Sequence, residues 1–483
     1  MTLSFEIPPL YALLLIPAVA CAVLALIPQY RFGALLNVLA SGGALAASVM
    51  LLTGRRARTD IFIVDDFNVY LVVLTNFVGL TAAIFSASYI AHELETGRLT
   101  PPLLRFYHAL YQAMIGAMNL ALVANNIGLI WVGVEVATLS TVMMVGIYRT
   151  PEAVEAAWKY FILGSVGIAL AFFGTILIYI AAQGVLGEGL PAMAWDEMTR
   201  NAAKFDARLL SLAFVFLLVG YGTKIGLAPF HAWLPDAHAE GPTPISAVLS
   251  GLLLNVALYA LLRFKMIMTA NGATLDVGSI MIALGLASLM FAAFMLYRRR
   301  DIKRLFAYSS IEHMGIMTFA FGVGGPLANF AGLLHMTMHS LTKSAIFFAV
   351  GHIAQAKGTQ RIADIRGLSA SHPVLAVGLA AGVIAIAGMP PFGVFTAEFL
   401  LVSSTFARHP LLAIALVFGL IVAFGALVRR LQDMLFGEPG ESVGRVQASY
   451  LPLFVHLAIV LAAGVWLPEP VVAWLKSVAA QLG

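Results

Sequence analysis

The chain has 483 residues, of which 61% are apolar and only 11% charged. Soluble globular chains carry about 25% charged residues, so a soluble enzyme is excluded and the composition is that of a polytopic membrane protein. The net charge of +4 reflects basic loops that position helices in a bilayer, and no nucleic-acid partner is implied.

Cys21 is the only cysteine. The chain therefore has no thiolates for an iron–sulfur cluster or a cysteine-rich metal site. A phosphate loop, a nucleophile elbow and a Rossmann fingerprint are also missing. No cofactor is expected on this chain, and electrons, if they take part, move on other subunits.

Apolar windows of about 20 residues mark membrane helices. They predict an all-α polytopic membrane protein of about 14 transmembrane helices, at 9–27, 32–53, 67–91, 106–124, 127–147, 154–182, 208–230, 243–268, 277–297, 303–321, 326–355, 374–407, 410–430 and 449–467. The first window has no basic segment before it and no small-residue cleavage site, so it reads as a retained helix. The seventh and twelfth are expected to be discontinuous. The piece from Pro470 is short and mildly amphipathic, which suits the membrane surface.

Four regions are expected. Residues 1–105 hold three helices. Residues 106–270 form a five-helix repeat, and 271–431 an inverted second copy. Residues 432–483 carry the last helix and a surface segment. Loop charge sets the orientation. With the N-terminus outside, 15 basic residues fall inside and 10 outside, among them Arg55, Arg56, Arg263 and Lys265. The positive-inside rule then puts both termini outside. Arg445 is counted inside, and Lys159, Lys224 and Lys343 fall within or at the mouth of helices.

The stretch GYGTKIGLAPFHAWLPDAHAEGPTPISAVLSG, 220–251, organises the chain. Its helix carries Lys224 and should break at Pro229, which lacks an amide donor and clashes with the preceding turn. His231, Asp236, His238 and Glu240 follow at once. A charge beside a broken helix is tolerated in a membrane only where it faces protein or water. GLAPF at 226–230 is echoed by GMPPF at 388–392, and a carboxylate follows each phenylalanine six residues on, Asp236 and Glu398. The apolar run opened by Lys159 is echoed by the run opened by Lys343. Units of five helices contain an odd number, so the second copy is inverted, as in ion-transport machinery with broken helices near the midplane.

Several residues could carry chemistry. Glu135 lies between apolar residues and needs a partner or a proton, and a lysine on a neighbouring helix is its natural partner. Lys159 opens the sixth helix, where snorkelling to the surface is the plain alternative. His335 and His339 share a helix face with Lys343. Their spacing could bind a metal, but no third ligand of the usual kind is visible nearby. A proton relay suits them better, and hydrogen-bonded burial is the alternative. Glu398 reads as the far end of a polar path that begins near Glu135. Weaker candidates are His231, Asp236, Asn255, His313 and the adjacent Glu312.

Together Glu135, Lys159, Lys224 with GLAPFHAWLPDAH, DIKRLFAYSSIEHMG, HSLTKSAIFF and GMPPFGVFTAEF resemble the antiporter-like membrane subunits. These occur in respiratory complex I, Mrp sodium/proton antiporters and membrane-bound [NiFe]-hydrogenases. The stretch from YHALYQAM to ALAFFG looks most like the hydrogenase-4 component F branch. The resemblance implies two inverted five-helix repeats, a Glu135–Lys224 pair and a polar axis ending at Glu398. Many relatives carry a lysine where this chain has Asn255, which cannot take up a proton. A relay there would need water or the histidines.

The implied function is a proton-translocating subunit of a membrane-bound hydrogenase or related redox complex. It would sit in a bacterial or archaeal inner membrane with other membrane and peripheral subunits, including NiFe-hydrogenase-like and iron–sulfur subunits. The alternatives are a cation/proton antiporter subunit without redox coupling and a membrane anchor for a soluble catalytic or inorganic-carbon-uptake partner.

Overall fold

A computed structural model of the chain describes residues 8–54, 58–442 and 449–483. Arg55, Arg56 and Arg445, counted above among the loop cations, lie outside the described residues.

The described residues are helical almost throughout. In chain order the helices are α1 (Pro8–Leu26), α2 (Tyr30–Thr53), α3 (Asp66–Glu95), α4 (Pro101–Val123), α5 (Ile127–Val145), α6 (Pro151–Leu186), α7 (Trp195–Asn201), α8 (Ala207–Ile225), α9 (Trp233–Glu240), α10 (Thr243–Val248), α11 (Leu254–Asn271), α12 (Val277–Leu296), α13 (Ile302–Val323), α14 (Gly325–Lys357), α15 (Leu368–Ser371), α16 (Pro373–Ile386), α17 (Gly393–Arg408), α18 (Pro410–Leu435), α19 (Leu451–Val465) and α20 (Glu469–Gln481).

Starts are fixed by capping chemistry. Asp65, Asn126, Thr150, Asp206, Asp276 and Asp301 each accept a first-turn amide with the side chain, which satisfies donors the helix itself cannot. Asp276 lies outside the apolar span it caps. The Ser279 hydroxyl and backbone amides hold its carboxyl below the usual range.

Each expected window overlaps a helix. Among the described residues, however, nine helical spans are long and apolar enough to cross a membrane, or ten with the bent pair α19–α20. The helices that fall short include α13 and α14, which carry Lys303, Arg304, Glu312, His313, His335, His339 and Lys343. Both are buried along nearly their whole length. They can be polar because they face protein rather than lipid.

The α6–α8 interface is built on small residues. A side chain at Gly220 would run into the Ala171 amide, and one at Gly167 into Thr223. Such positions let two membrane helices approach closely.

One expectation is corrected. Arg263 and Lys265, counted as outside loop cations, are buried within α11. Arg263 pairs with Asp65 at 2.7 Å and lies over the Trp195, Tyr259 and Phe67 rings, so it joins α3, α7 and α11. Lys265 donates to the Leu482 carbonyl at 2.9 Å. The final segment also has more than a lipid surface to lie on. α20 bends 83° away from α19 and buries Leu475, Val478 and Ala479. Asn329 of α14 binds the Ala479 and Gly483 carbonyls. These bonds dock α20 on the ends of the buried helices.

Candidate functional site

The first break begins before Pro229. α8 ends at Ile225, and Gly226 takes the left-handed conformation with φ +81°, which glycine adopts without a side-chain penalty. The freed backbone is satisfied inside the protein, as membrane depth requires. Trp233 Nε1 donates to the Thr223 carbonyl at 2.9 Å, and the Ala228 amide to Ser288 Oγ at 2.9 Å. Trp233 in turn stacks on Tyr160 of α6 at 4.1 Å.

Lys224, on the last turn before the break, donates to Glu135 of α5 at 3.0 Å. Their side chains are 4% and 15% exposed. A methyl group at Gly164 of α6 would lie 3.3 Å from the lysine nitrogen, so this glycine leaves the ammonium its space. A buried charge is costly unless paired, and each of these two is the other's ion-pair partner.

A second polar cluster lies on α13, α14 and α17. Lys343 donates to the Phe306 carbonyl at 3.1 Å. Glu312 is buried one residue before His313 on α13. His313 Nδ1 and His335 Nε2 share a hydrogen bond of 2.9 Å, and the His339 ring centroid lies 5.5 Å from that of His313. All of these side chains are buried.

Glu398 sits one turn into α17, past the second break. Gly388 there has φ +67°, and a side chain on it would collide with the Glu398 carboxylate. Donor atoms of His313, His335 and Glu398 lie within 4.8 Å of one another. The sequence offered no third ligand beside His335 and His339. The fold supplies one from α17, and it joins His313 rather than His339. The His313–His335 hydrogen bond already occupies one nitrogen of each ring, which is an arrangement for sharing a proton.

Asn255 joins this cluster from α11. It donates to Ser340 Oγ at 2.8 Å and to the Met336 carbonyl at 3.2 Å. It follows a π-helical turn, Leu249–Leu253, in which Ser250 bonds Ser310 at 2.7 Å. Single π-turns often mark functional positions. Among the described residues no hydrogen bond joins the Asn255 cluster to the Glu135–Lys224 pair.

Lys159 and Asp236 lie apart from both groups. Lys159, 47% exposed, bonds Glu155 at 2.6 Å and Asp236 at 3.1 Å. Arg304 bridges Asp236 and Glu240, at 3.1 Å each. His231 packs its ring on Phe291 at 4.5 Å.

Two residues had more to offer than their sequence context showed. Glu312 is buried on α13 directly beside His313. His238 is buried, stacked on Phe347 at 4.9 Å, and lies within the fields of Lys303 and Lys343. Lys303 fixes itself to the Ala239 and Gly241 carbonyls at 3.0 and 2.6 Å. The signal for His238 was its place between Pro235 and Pro242, in the same polar run as Asp236.

A family profile described as NADH:quinone oxidoreductase/Mrp antiporter, transmembrane, matches residues 124–423. The chain is 59% identical to the hydrogenase-4 component F homolog of Methylacidiphilum infernorum over 465 residues, covering 96% of this chain and 98% of the relative. Its fold is similar to a chain of the Mrp complex of Dietzia sp., with TM-score 0.84, 19% identity and coverage of 99% and 98%. It is also similar to a chain of the archaeal membrane-bound sulfane sulfur reductase, with TM-score 0.87, 21% identity and coverage of 98% and 97%. The profile match and the 59% identity place the chain in a family: it belongs to the NADH:quinone oxidoreductase/Mrp antiporter transmembrane family.

Proposed function

We propose that the chain is a proton-translocating subunit of a hydrogenase-type membrane complex, with about 14 spans and two inverted five-helix repeats. The buried Glu135–Lys224 pair beside the α8 break carries this reading. An intramembrane ion pair at a broken helix marks an ion path more often than a structural tie. The similarity to a hydrogenase-4 component F homolog supports the hydrogenase setting. The left-handed glycines at both breaks, Gly226 and Gly388, support the repeat.

In this reading one half-channel meets Lys224 and the other meets Glu398. The cluster of Glu312, Lys343 and the three histidines links them, and Asn255 with water completes the relay. Charge moves stepwise because a proton on one group weakens the hold on its neighbour. NiFe-hydrogenase-like and iron–sulfur subunits are the expected partners, and both termini are outside.

The direct test uses the assembled complex in sealed vesicles, with a pH-sensitive dye and a substrate for the redox partner. Acidification that depends on turnover and is lost in Lys224→Gln supports the proposal. Sodium or potassium exchange without any redox partner would replace it with the antiporter reading. Normal acidification in Lys224→Gln would remove the assigned path.

Lys159→Gln should act weakly. Its ion pairs are half exposed and worth about 0–1 kcal/mol, so translocation should fall far less than in Lys224→Gln, measured in the same vesicles. His339→Ala should slow proton movement without changing metal content. Stoichiometric zinc or copper that is lost in His335→Ala would turn the histidine cluster into a metal centre.

A further inference from the structure

A cavity of about 710 Å³ opens where α12 and α18 end, lined by Arg300, Arg361, Arg366, Arg430, Asp433 and Phe436 among others. Four arginines against one aspartate leave a net charge of +3. The rim is fixed by backbone bonds. The Ile362 amide donates to the Arg300 carbonyl at 2.9 Å, and the Ile302 amide to the Gln360 carbonyl at 2.9 Å.

The guanidiniums keep donors free. Arg300 makes no side-chain hydrogen bond among the described residues. Arg366 uses its Nε on the Ala363 carbonyl, and Arg361 meets Asp364 only through Nε, at 3.7 Å. Arg430 is engaged, by the Tyr297 carbonyl at 2.6 Å and Asp433 at 3.2 Å, so the free donors come from Arg300, Arg361 and Arg366. Guanidinium forks of this kind suit phosphate oxygens.

The same two helices are apolar spans that leave Phe294, Phe418 and Ile421 exposed along their length, and Phe436, just past α18, is exposed at the cavity itself. The Phe294 and Phe418 rings meet at 6.3 Å across the helix pair. We propose that this juxtaposition is a binding site for an anionic phospholipid, its phosphate held by the arginines and its acyl chains laid along α12 and α18. A free anion would use the cavity and leave the apolar face uncovered; a phospholipid uses both. The basic loops put this end at the cytoplasmic leaflet, where anionic lipids concentrate.

The test is native mass spectrometry on the full chain in detergent, titrated with phosphatidylglycerol and, separately, phosphatidylcholine. Phosphatidylglycerol should bind selectively. Arg300→Gln with Arg361→Gln should weaken it roughly 25-fold, about fivefold per arginine, and leave phosphatidylcholine unchanged. Arg298→Gln, outside the cavity, should bind like the parent. Arg361→Gln alone, at a mostly exposed side chain, provides the fivefold step should the double variant fold poorly. Equal binding of the two lipids overturns the proposal. So does full displacement of phosphatidylglycerol by millimolar inorganic phosphate, which would mark a free-anion site. Loss of a co-purifying acidic subunit from the complex, with lipid binding unchanged, would assign the cavity to that protein instead.

Discussion

Glu135→Gln should destabilise the protein and stop proton translocation, and Glu135→Gln with Lys224→Met should restore stability alone. Lys224 meets Glu135 at 3.0 Å with both side chains largely buried. Removing one member of such a pair leaves the other charge in a medium that solvates it poorly, at a cost of about 3–5 kcal/mol. Replacing both by groups of similar shape is often neutral. The double variant therefore separates the structural role from the transport role. Thermal unfolding in detergent should show a lowered midpoint for Glu135→Gln and a recovered one for the double variant. Translocation in sealed vesicles should stay below about a tenth of the parent in both, a barrier increase of roughly 1.4 kcal/mol or more. Recovery of translocation in the double variant would make the pair a structural tie between α5 and α8.

Much of this arrangement could be read from the sequence, because a membrane makes charge conspicuous. Glu135, Lys224 and Lys343 stood out as ionisable residues in apolar surroundings, and GLAPF and GMPPF marked both breaks. The Glu135–Lys224 pair, which the resemblance implied, is present; which of the other polar residues meet could not be read. The sequence offered Lys159 as a candidate with snorkelling as its alternative, and the packing of α6 on α9 gives it Asp236 as a partner. Glu312 was named only as the neighbour of His313, and its complete burial on α13 comes from tertiary packing. The third donor beside His313 and His335 comes from α17, a tertiary contact with no local pattern. The windows at 303–321 and 326–355 did find helices, but ones less apolar than the other spans. α13 and α14 are polar because they carry the cluster, and protein rather than lipid surrounds them. Arg263 and Lys265 were taken for loop charges for a related reason: their partners, Asp65 and the Leu482 carbonyl, lie far away in the chain.

Gly388→Ala should abolish translocation about as fully as Glu398→Gln, although it alters no titratable group. The residue has φ +67°, a conformation that costs a side chain about 1–2 kcal/mol. The new methyl would also point into the Glu398 carboxylate. The backbone at the break has little room to yield, because Gly388 and Met389 donate their amides to the Ala385 and Ile384 carbonyls at 3.2 Å each. The carboxylate must then swing away from His313 and His335, whose donor atoms it approaches within 4.8 Å. A relay depends on hydrogen-bond reach at every step, so the path opens at its α17 end. The double variant Gly388→Ala with Glu398→Gln should translocate no worse than either single variant, since all three remove the same link. Translocation measured in vesicles, with assembly checked by co-purification, decides the matter. A Gly388→Ala complex that assembles and pumps at the parental rate would mean that Glu398 need not stand where α17 holds it, and the far end of the path would have to be sought on another helix.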